Sequence, residues 1–206
     1  TFWISIYSGH LNFHGTLFDA MNWHAYAMLY GFTLSLIAGF ILTASSHWSG
    51  KKAISGGPIV CLIILWLLEQ SSLVLPLPPG LTFLINIPFV PCLAFFLYLQ
   101  LKEQRKNKLI FLTILTLFFL GKTLMLLGGL QGSSKLLLYG KEMGYGLTQL
   151  IIIVIAGRVF PFFTSKKLPH IKISTPKWID ALAIFFTALI IIPKLSEWQV
   201  LIFSLA

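Results

Sequence analysis

The sequence predicts an all-α protein, a polytopic bundle of about six complete transmembrane helices with partial helices at both ends. Of the 206 residues, 57% are hydrophobic and only 10% are charged, which leaves too little polar surface to cover a soluble globule. The apolar residues fall into runs long enough to cross a hydrocarbon core of about 30 Å. Clusters of Gly, Pro and Ser separate these runs where helices should stop.

The first span shows the pattern most clearly. Between His24 and His47 the chain contains no Asp, Glu, Lys or Arg. As a helix, about 22 residues of this run reach roughly 33 Å, which is enough to cross a bilayer. In the third span, Pro88 and Pro91 predict a kinked or broken helix. The six predicted spans are residues 24–46, 58–75, 81–101, 109–130, 145–163 and 178–193.

The positive charges predict the orientation of the bundle. The formal net charge is +9, and the cations lie between the apolar runs, so they favour a topology signal over a nucleic-acid surface. The loops after spans one, three and five carry most of them, and by the positive-inside rule these loops are cytoplasmic. These cations are Lys51, Lys52, Lys102, Arg105, Lys106, Lys108, Lys166, Lys167, Lys172 and Lys177.

Both ends of the sequence predict a piece of a longer protein. An outside start with no signal sequence requires an earlier span, and residues 1–8 have the composition of the tail of an apolar helix. Residues 198–206 begin a further apolar run that is too short to cross. We therefore expect residues 1–206 to be a single integral-membrane domain from the centre of a longer chain. Its expected partners are the lipid bilayer and the remaining helices.

One stripe of the first span contains candidate metal ligands. At helical spacing, His24 and Met28 share a face with Gly31, Ser35 and Gly39. The three small residues predict a surface where transmembrane helices approach closely, so we expect His24 to face protein. Imidazole suits haem iron, and imidazole with a thioether suits copper(I). The alternative is an interfacial histidine that forms an ordinary hydrogen bond.

Polar residues inside the other spans are the second group of candidates. Arg158 is a candidate clamp for an anionic group such as a haem propionate, or alternatively an arginine that extends to lipid phosphates. Lys122, near the middle of span four, is the costliest charge in the chain. Glu69 is the only acid deep in a span, so we expect a Lys122–Glu69 ion pair. Interhelical hydrogen bonding is the expected role of Asn86 and Gln149.

Two stretches of the chain resemble the NnrS family. They are WHAYAMLYGFTLSLIAGFILTASSHWSG, residues 23–50, and GRVFPFFTSKK, residues 157–167. The family is regarded as bacterial inner-membrane proteins that contain haem and copper and are linked to denitrification and to nitric oxide stress. The resemblance therefore implies haem b and copper as cofactors, nitric oxide as a small gaseous ligand, and the inner membrane as the location.

The resemblance also implies site residues. It assigns His24 to a metal, with Met28 as a second metal ligand and Arg158 as a cofactor-binding residue. The chain departs from the family pattern at Tyr26 and Ala27, where a second His and then an acid are usual, and a His expected in the fourth span is absent. Tyr26 is a further candidate haem ligand, since a phenolate ligates iron. The positions that match are Trp23, His24, Met28, Gly31, Gly39, Trp48, Gly50, Gly157, Arg158, Pro161, Phe163 and Thr164.

Two other classes of function compete with this interpretation. The first is a cofactor-free transporter or scaffold, in which the prolines of span three break a helix around a cavity and the Lys122–Glu69 pair gates it. The second is a haem–copper redox enzyme, which needs several midplane His ligands, and this sequence has none. Nucleotide-binding, zinc-protease and hydrolase motifs are absent, which excludes soluble-enzyme chemistry. Whether a substrate is turned over is left open by the sequence.

Overall fold

The computed structural model describes Ile4 and residues 15–167, without the side chains of residues 105–107, 158–163 and 165–167. Every regular element in this part of the chain is a helix. Residues up to Lys141 belong to one compact unit, and a second begins at Glu142. The helices are α1 (Ala20–Ser49), α2 (Gly57–Ser72), α3 (Pro79–Asn86), α4 (Phe89–Gln100), α5 (Arg105–Gln131) and α6 (Ser134–Lys167).

Helix α1 contains the predicted first span and has a cap at each end. The Asp19 carboxylate accepts a hydrogen bond of 2.8 Å from the backbone N–H of Asn22, which satisfies one free donor of the first turn. Gly50 ends the helix in the left-handed region at φ 67°, where glycine has no steric penalty. Between these ends, Ala27–Thr33 is a π-helical segment. This widened segment was not predicted from the sequence.

The third predicted span is broken, as the sequence predicts. Helix α3 ends at Asn86, and α4 begins at Phe89. Pro88 lies in the break, where its ring and missing N–H prevent one continuous ladder of hydrogen bonds. Pro91 lies in the first turn of α4, a place where its missing N–H costs nothing because that donor has no intrahelical partner. Pro88 therefore marks the break, and Pro91 is accommodated by it.

Contacts between loops show that successive helices run in opposite directions. At one end of the first unit, Lys51 Nζ lies 3.0 Å from Glu103 Oε1, so the loops after α1 and α4 are neighbours. At the other end, Thr16 Oγ1 donates a hydrogen bond of 2.7 Å to the carbonyl of Leu77. The loop after α2 therefore lies beside the start of α1. This alternation agrees with the predicted order of the first spans.

Three of the described helices are long and apolar enough to cross a membrane: Ala20–Ser49, Pro79–Gln100 with its break, and Lys108–Gln131. Helix α2 is also apolar but shorter, with 16 residues. The predicted fifth span lies within α6, and the predicted sixth, residues 178–193, lies outside the described residues. In the described residues the structure thus confirms the all-helical fold, with three helices long and apolar enough to span a membrane, and the number of six complete spans is still a prediction.

The distribution of apolar residues fits a lipid environment. Large apolar side chains remain exposed along the helices, including Phe32, Leu36 and Leu84, each more than half exposed. In water such surfaces are costly, whereas lipid solvates them. The core is also apolar, and the broken third span packs against α1, α2 and α5. Its fully buried members include Leu34, Ile41, Leu93, Leu97, Phe111, Leu115 and Phe118.

Candidate functional site

The most unusual feature of the first unit is a buried ion pair. Lys122 Nζ lies 2.6 Å from Glu69 Oε2, and both side chains have 0% exposure. The pair joins α2 to α5 in the part of the chain that the sequence assigns to the membrane. It confirms the prediction that the costliest cation in the chain is compensated by the only acid deep in a span.

The energetics of this pair depend on its surroundings. Removing two charges from water is costly, and their attraction offsets that cost only when the geometry is good and other polar groups complete the site. Here the Lys122 ammonium also lies 5.8 Å from the centre of the Phe89 ring, which is the first residue of α4. A cation is attracted by the face of an aromatic ring. Three helices therefore contribute to the pair.

Hydrogen-bonding side chains surround the acidic partner. The hydroxyl of Tyr26 donates a hydrogen bond of 3.0 Å to Asn86 Oδ1, and Asn86 Nδ2 donates to Ser72 Oγ at 2.9 Å and to the carbonyl of Thr82 at 2.7 Å. All four residues are buried. Asn86 is the last residue of α3, so the helix break places its amide among three helices. This confirms the predicted hydrogen-bonding role of Asn86.

The Glu69 carboxylate is satisfied on one side only. Its Oε2 accepts from Lys122, whereas Oε1 is buried with no hydrogen-bond partner of good geometry among the described residues. The Tyr26 hydroxyl is close enough to interact with the carboxylate, but a hydroxyl has a single proton. We define these residues, Tyr26, Glu69, Ser72, Thr82, Asn86 and Lys122, as the polar cluster.

The π-helical segment of α1 adjoins this cluster. The carbonyl of Gly31 accepts the backbone N–H of Leu34 and also a hydrogen bond of 3.0 Å from Trp66 Nε1. The Gln70 side chain occupies the space of a side chain at Gly31, since Gln70 Oε1 would lie 2.5 Å from an added Cβ. The predicted close approach at Gly31 is therefore observed. At Gly39 no described atom lies within 4 Å of an added Cβ, so the small-residue stripe does not continue as a packed surface.

A second tyrosine fixes the π-helical segment to the start of α6. The Tyr30 hydroxyl donates a hydrogen bond of 2.6 Å to the carbonyl of Gly140. Gly140 is required there because a Cβ would lie 2.7 Å from the backbone nitrogen of Met125. The Tyr30 ring lies 5.5 Å from the Tyr26 ring, and both residues have 0% exposure. The two tyrosines are thus buried parts of the core.

An apolar groove of about 220 Å³ is lined by residues of α1 and α2 and by Phe89 of α4. The Phe89 ring also lies beside the Lys122 ammonium, so the groove and the ion pair have this residue in common. Ser35 and Gly39, which the sequence places at a helix contact, line this groove instead. The groove residues are Ser35, Ala38, Gly39, Leu42, Ile59, Leu62, Ile63, Trp66 and Phe89.

The candidate ligands from the sequence do not form one cluster. His24 is half-buried in the first turns of α1 and has interactions within the protein. Met28 is 45% exposed, and Tyr26 is a fully buried hydrogen-bond donor. Arg158 lies in α6 beyond Glu142, and its side chain is outside the described atoms. His47, at the opposite end of α1, is exposed.

These positions determine which cofactor contacts the described residues can supply. In this part of the chain no three His, Cys, Asp or Glu side chains come together as a metal site. Iron ligation by Tyr26 would break its bond to Asn86 and would require space that the Phe18 and Tyr30 rings occupy, at 5.2 and 5.5 Å. The described donors therefore fit a single imidazole contact from His24, but they do not form a complete haem or copper site.

The sequence analysis did not identify several residues of the polar cluster. Ser72 and Thr82 lie in apolar runs beside Pro and Gly turns, where a hydroxyl is common and carries little information. Gln70 follows Glu69 directly, so an intramembrane amide was visible in the sequence. Its contact with Gly31 depends on the π-helical segment, because that segment changes which side chains face α2.

Comparison with known proteins gives one positive result. The sequence model of the NnrS protein family matches residues 1–206. No curated protein and no solved structure matches the chain. The match extends over the whole sequence, including both stretches on which the resemblance depends, and the helical fold agrees with a membrane protein. The chain belongs to the NnrS family.

Proposed function

We propose that this chain belongs to an integral membrane protein that holds haem b, with copper as a second metal, and that acts in the response to nitric oxide. The family match over residues 1–206 is the observation that carries the proposal. Nitric oxide is the small ligand that follows from this assignment. The bacterial inner membrane, with the basic loops in the cytoplasm, is the proposed location.

His24 is the proposed metal ligand. It lies near the N-terminal end of a membrane helix, within the stretch that matches the family, and it is half-buried. Its ring can therefore contact a cofactor at the edge of the bundle without displacing the core. Met28, one turn away, would contribute to copper. From the family match alone, Arg158 is proposed as a partner for an anionic group such as a haem propionate. Further contacts to the cofactor would come from residues outside the described part of the chain.

The bound haem would supply the iron to which a diatomic gas binds. The described part of the protein would supply one imidazole and a bilayer-embedded, largely apolar surrounding. Such surroundings restrict solvent access, and they therefore affect the reduction potential of a metal site and its affinity for ligands. In this proposal the polar cluster is separate from the cofactor, because its carboxylate is already paired with Lys122.

Visible absorption tests this proposal. The purified chain is reconstituted with haem and copper, and its spectrum is recorded in oxidised and reduced form together with its copper content. We expect a Soret band that weakens in the His24→Ala variant and a copper content that decreases in the Met28→Leu variant. His47→Ala is the matched control, because this exposed imidazole lies at the other end of the same helix and should have no effect. A wild-type protein that retains neither metal contradicts the proposal.

The broken third span favours a second candidate function, a cofactor-free transporter. The break at Pro88 lies next to Asn86 and the buried Lys122–Glu69 pair, an arrangement found where substrates cross membranes. In this case the pair would gate a cavity. The observation does not involve His24, so the two candidates depend on different residues.

Chemical labelling distinguishes the transporter from the cofactor protein. In a Cys61→Ser/Cys92→Ser background, the Asn86→Cys variant is treated with a water-soluble maleimide in lipid vesicles. A transporter opens its cavity to water, so we expect labelling at position 86 and a colourless, metal-free protein. A protected thiol in a coloured protein contradicts the transporter.

A further inference from the structure

The wall of the apolar groove offers no free hydrogen-bond donor from the side chains that line it. Two of these side chains carry a donor, Ser35 and Trp66. The Ser35 hydroxyl donates to the Phe32 carbonyl at 2.7 Å, and Trp66 Nε1 donates to the Gly31 carbonyl at 3.0 Å. A cavity that lacks polar partners does not hold ordered water. The chemistry of the wall therefore favours an apolar occupant.

The groove is open on both helices and has the length of a lipid chain segment. Ile63 of α2 is 51% exposed, and at the exposed Gly39 of α1 no described atom lies within 4 Å of an added Cβ. The lining residues run from 35 to 42 on α1 and from 59 to 66 on α2, which is about 10 Å along each helix. One leaflet contributes about 15 Å of hydrocarbon, half of the roughly 30 Å core.

The groove begins beside the loop that joins α1 to α2, residues 50–56. Ile59 lines the groove and is the third residue of α2, about 3 Å from the start of the helix. The loop carries Lys51 and Lys52, both exposed. The buried Gln100 donates a hydrogen bond of 3.0 Å from Nε2 to the Lys52 carbonyl, so the end of α4 holds this loop against the bundle.

The charges differ between the two ends of the helices that form the groove. The loops after α1 and α4 carry three lysines and one acid: Lys51, Lys52, Lys102 and Glu103. Lys51 pairs with Glu103, whereas Lys52 has no ion pair among the described residues. At the opposite end the loop of residues 73–78 is uncharged, and the residue before α1 is an acid, Asp19. An anionic group is therefore attracted to one end of the groove only.

We propose that the groove binds one acyl chain of an anionic phospholipid, from the leaflet at the end of the bundle that carries Lys51 and Lys52. The phosphate lies on the Lys52 ammonium, which donates charge-assisted hydrogen bonds to its oxygens. The acyl chain lies in the groove against Trp66. A zwitterionic lipid would fill the groove without the net attraction, so charge provides the selectivity. The proposal does not depend on haem or copper.

Fluorescence quenching by brominated lipids tests the proposal, because bromine quenches an indole at short range and Trp66 lies in the groove wall. The full chain is placed in phosphatidylcholine vesicles with a minor fraction of phosphatidylglycerol whose acyl chains are brominated. The same fraction of brominated phosphatidylcholine serves for comparison. The difference between the wild type and Trp66→Phe isolates the Trp66 signal. We expect phosphatidylglycerol to quench that signal more strongly than phosphatidylcholine.

Lys52→Ala tests the contact with the headgroup. The loss of one lysine near an anionic headgroup should lower the preference for phosphatidylglycerol over phosphatidylcholine at Trp66 about fivefold. Lys135→Ala is the matched control. This lysine is exposed just beyond the other end of α5, so its loss should leave the preference unchanged.

Gly39→Leu tests the groove itself. The new side chain would occupy the open space beside Gly39, and leucine favours a helix more than glycine does. Quenching of Trp66 by both lipids should therefore be lost. Thr43→Leu is the control, because it adds a leucine one turn further along α1 at an exposed position outside the groove. Helical circular dichroism identifies the folded variants.

Three results would overturn the proposal. Equal quenching of Trp66 by the two lipids, or an unchanged preference in Lys52→Ala, would show that the groove does not recognise an anionic headgroup. Quenching by neither lipid would show that another part of the chain or a second copy covers the groove. Quenching that persists in folded Gly39→Leu would show that the lipid contacts Trp66 from outside the groove.

Discussion

Two lysine–glutamate pairs in this protein have similar geometry but very different surroundings. Lys122–Glu69 has an N–O distance of 2.6 Å with both side chains at 0% exposure, whereas Lys51–Glu103 has a distance of 3.0 Å with exposures of 42% and 76%. Both pairs join helices or loops that are distant in sequence. Because the distances are similar, we expect the difference in burial to give the two ion pairs different energetic roles.

The largest expected effect is the loss of one partner of the buried pair. Lys122→Met should lower the free energy of unfolding by about 3–5 kcal/mol, because Glu69 then remains buried as an uncompensated charge. Lys51→Met is the matched control, with the same change of side chain in the exposed pair, and should shift the unfolding curve only slightly. The measurement is denaturant unfolding in detergent micelles. Equal unfolding curves for the two variants would show that burial does not distinguish the two ion pairs.

Removing both partners together should cost much less. In Glu69→Met/Lys122→Met no charge remains inside the bundle, so we expect stability within about 1 kcal/mol of the wild type. The same unfolding experiment measures the coupling between the two positions. If the double variant is as unstable as Lys122→Met, the ion pair makes a net stabilising contribution that two apolar side chains cannot replace.

The next effect concerns the hydrogen bonds around the buried carboxylate. Tyr26→Phe keeps the ring but removes the donor to Asn86 Oδ1, which should cost about 1–2 kcal/mol because a buried acceptor loses its partner. Tyr98→Phe is the control, since Tyr98 is 42% exposed and its ring remains available to the Lys108 ammonium. Thermal unfolding compares the two, and equal midpoints would contradict the expected role of Tyr26.

The smallest effect belongs to the exposed pair and depends on pH. The Lys51 ammonium holds the pKa of the Glu103 carboxyl below its ordinary range. A carboxyl with a lower pKa in the folded than in the unfolded chain stabilises the fold above its unfolded pKa and loses that effect as the pH falls through the folded pKa. The contribution is therefore present at neutral pH and disappears in acid.

Lys51→Ala checks this direction, because it should raise the Glu103 pKa toward the ordinary value. A carboxyl NMR titration in micelles measures the shift, and Lys52→Ala is the neighbouring control with no ion pair to Glu103 in the structure. A Glu103 titration that does not change in Lys51→Ala would show that the surface pair does not persist in solution.

The sequence predicted features that follow from the cost of charge and from backbone chemistry. The Lys122–Glu69 ion pair could be predicted from the sequence, because a cation inside an apolar span has few other possible partners. The break near Pro88 and the turns at Gly56 and Gly132, which have φ values of 68° and 65°, follow from local steric rules. These predictions required no knowledge of how the helices pack.

The candidate site was harder to predict, because it depends on which residues of α1 share one face of the helix. A regular helix would place His24, Met28, Gly31, Ser35 and Gly39 on one face. The π-helical segment Ala27–Thr33 adds residues to the turn, so Gly31 is buried against Gln70 while Met28 and Gly39 are exposed. Nothing in the apolar pattern marks such a segment, because its stability depends on contacts such as the bond from Trp66 to Gly31.

By itself, the sequence determined that this chain forms apolar helices, where they stop, which charges must compensate one another, and the family resemblance. Only the tertiary structure decided that Tyr26 is a hydrogen-bond donor to Asn86 and that one oxygen of Glu69 lacks a donor among the described residues. The physical reason is that burial and turn chemistry are properties of short segments, whereas the partner of a polar group depends on how separate helices meet.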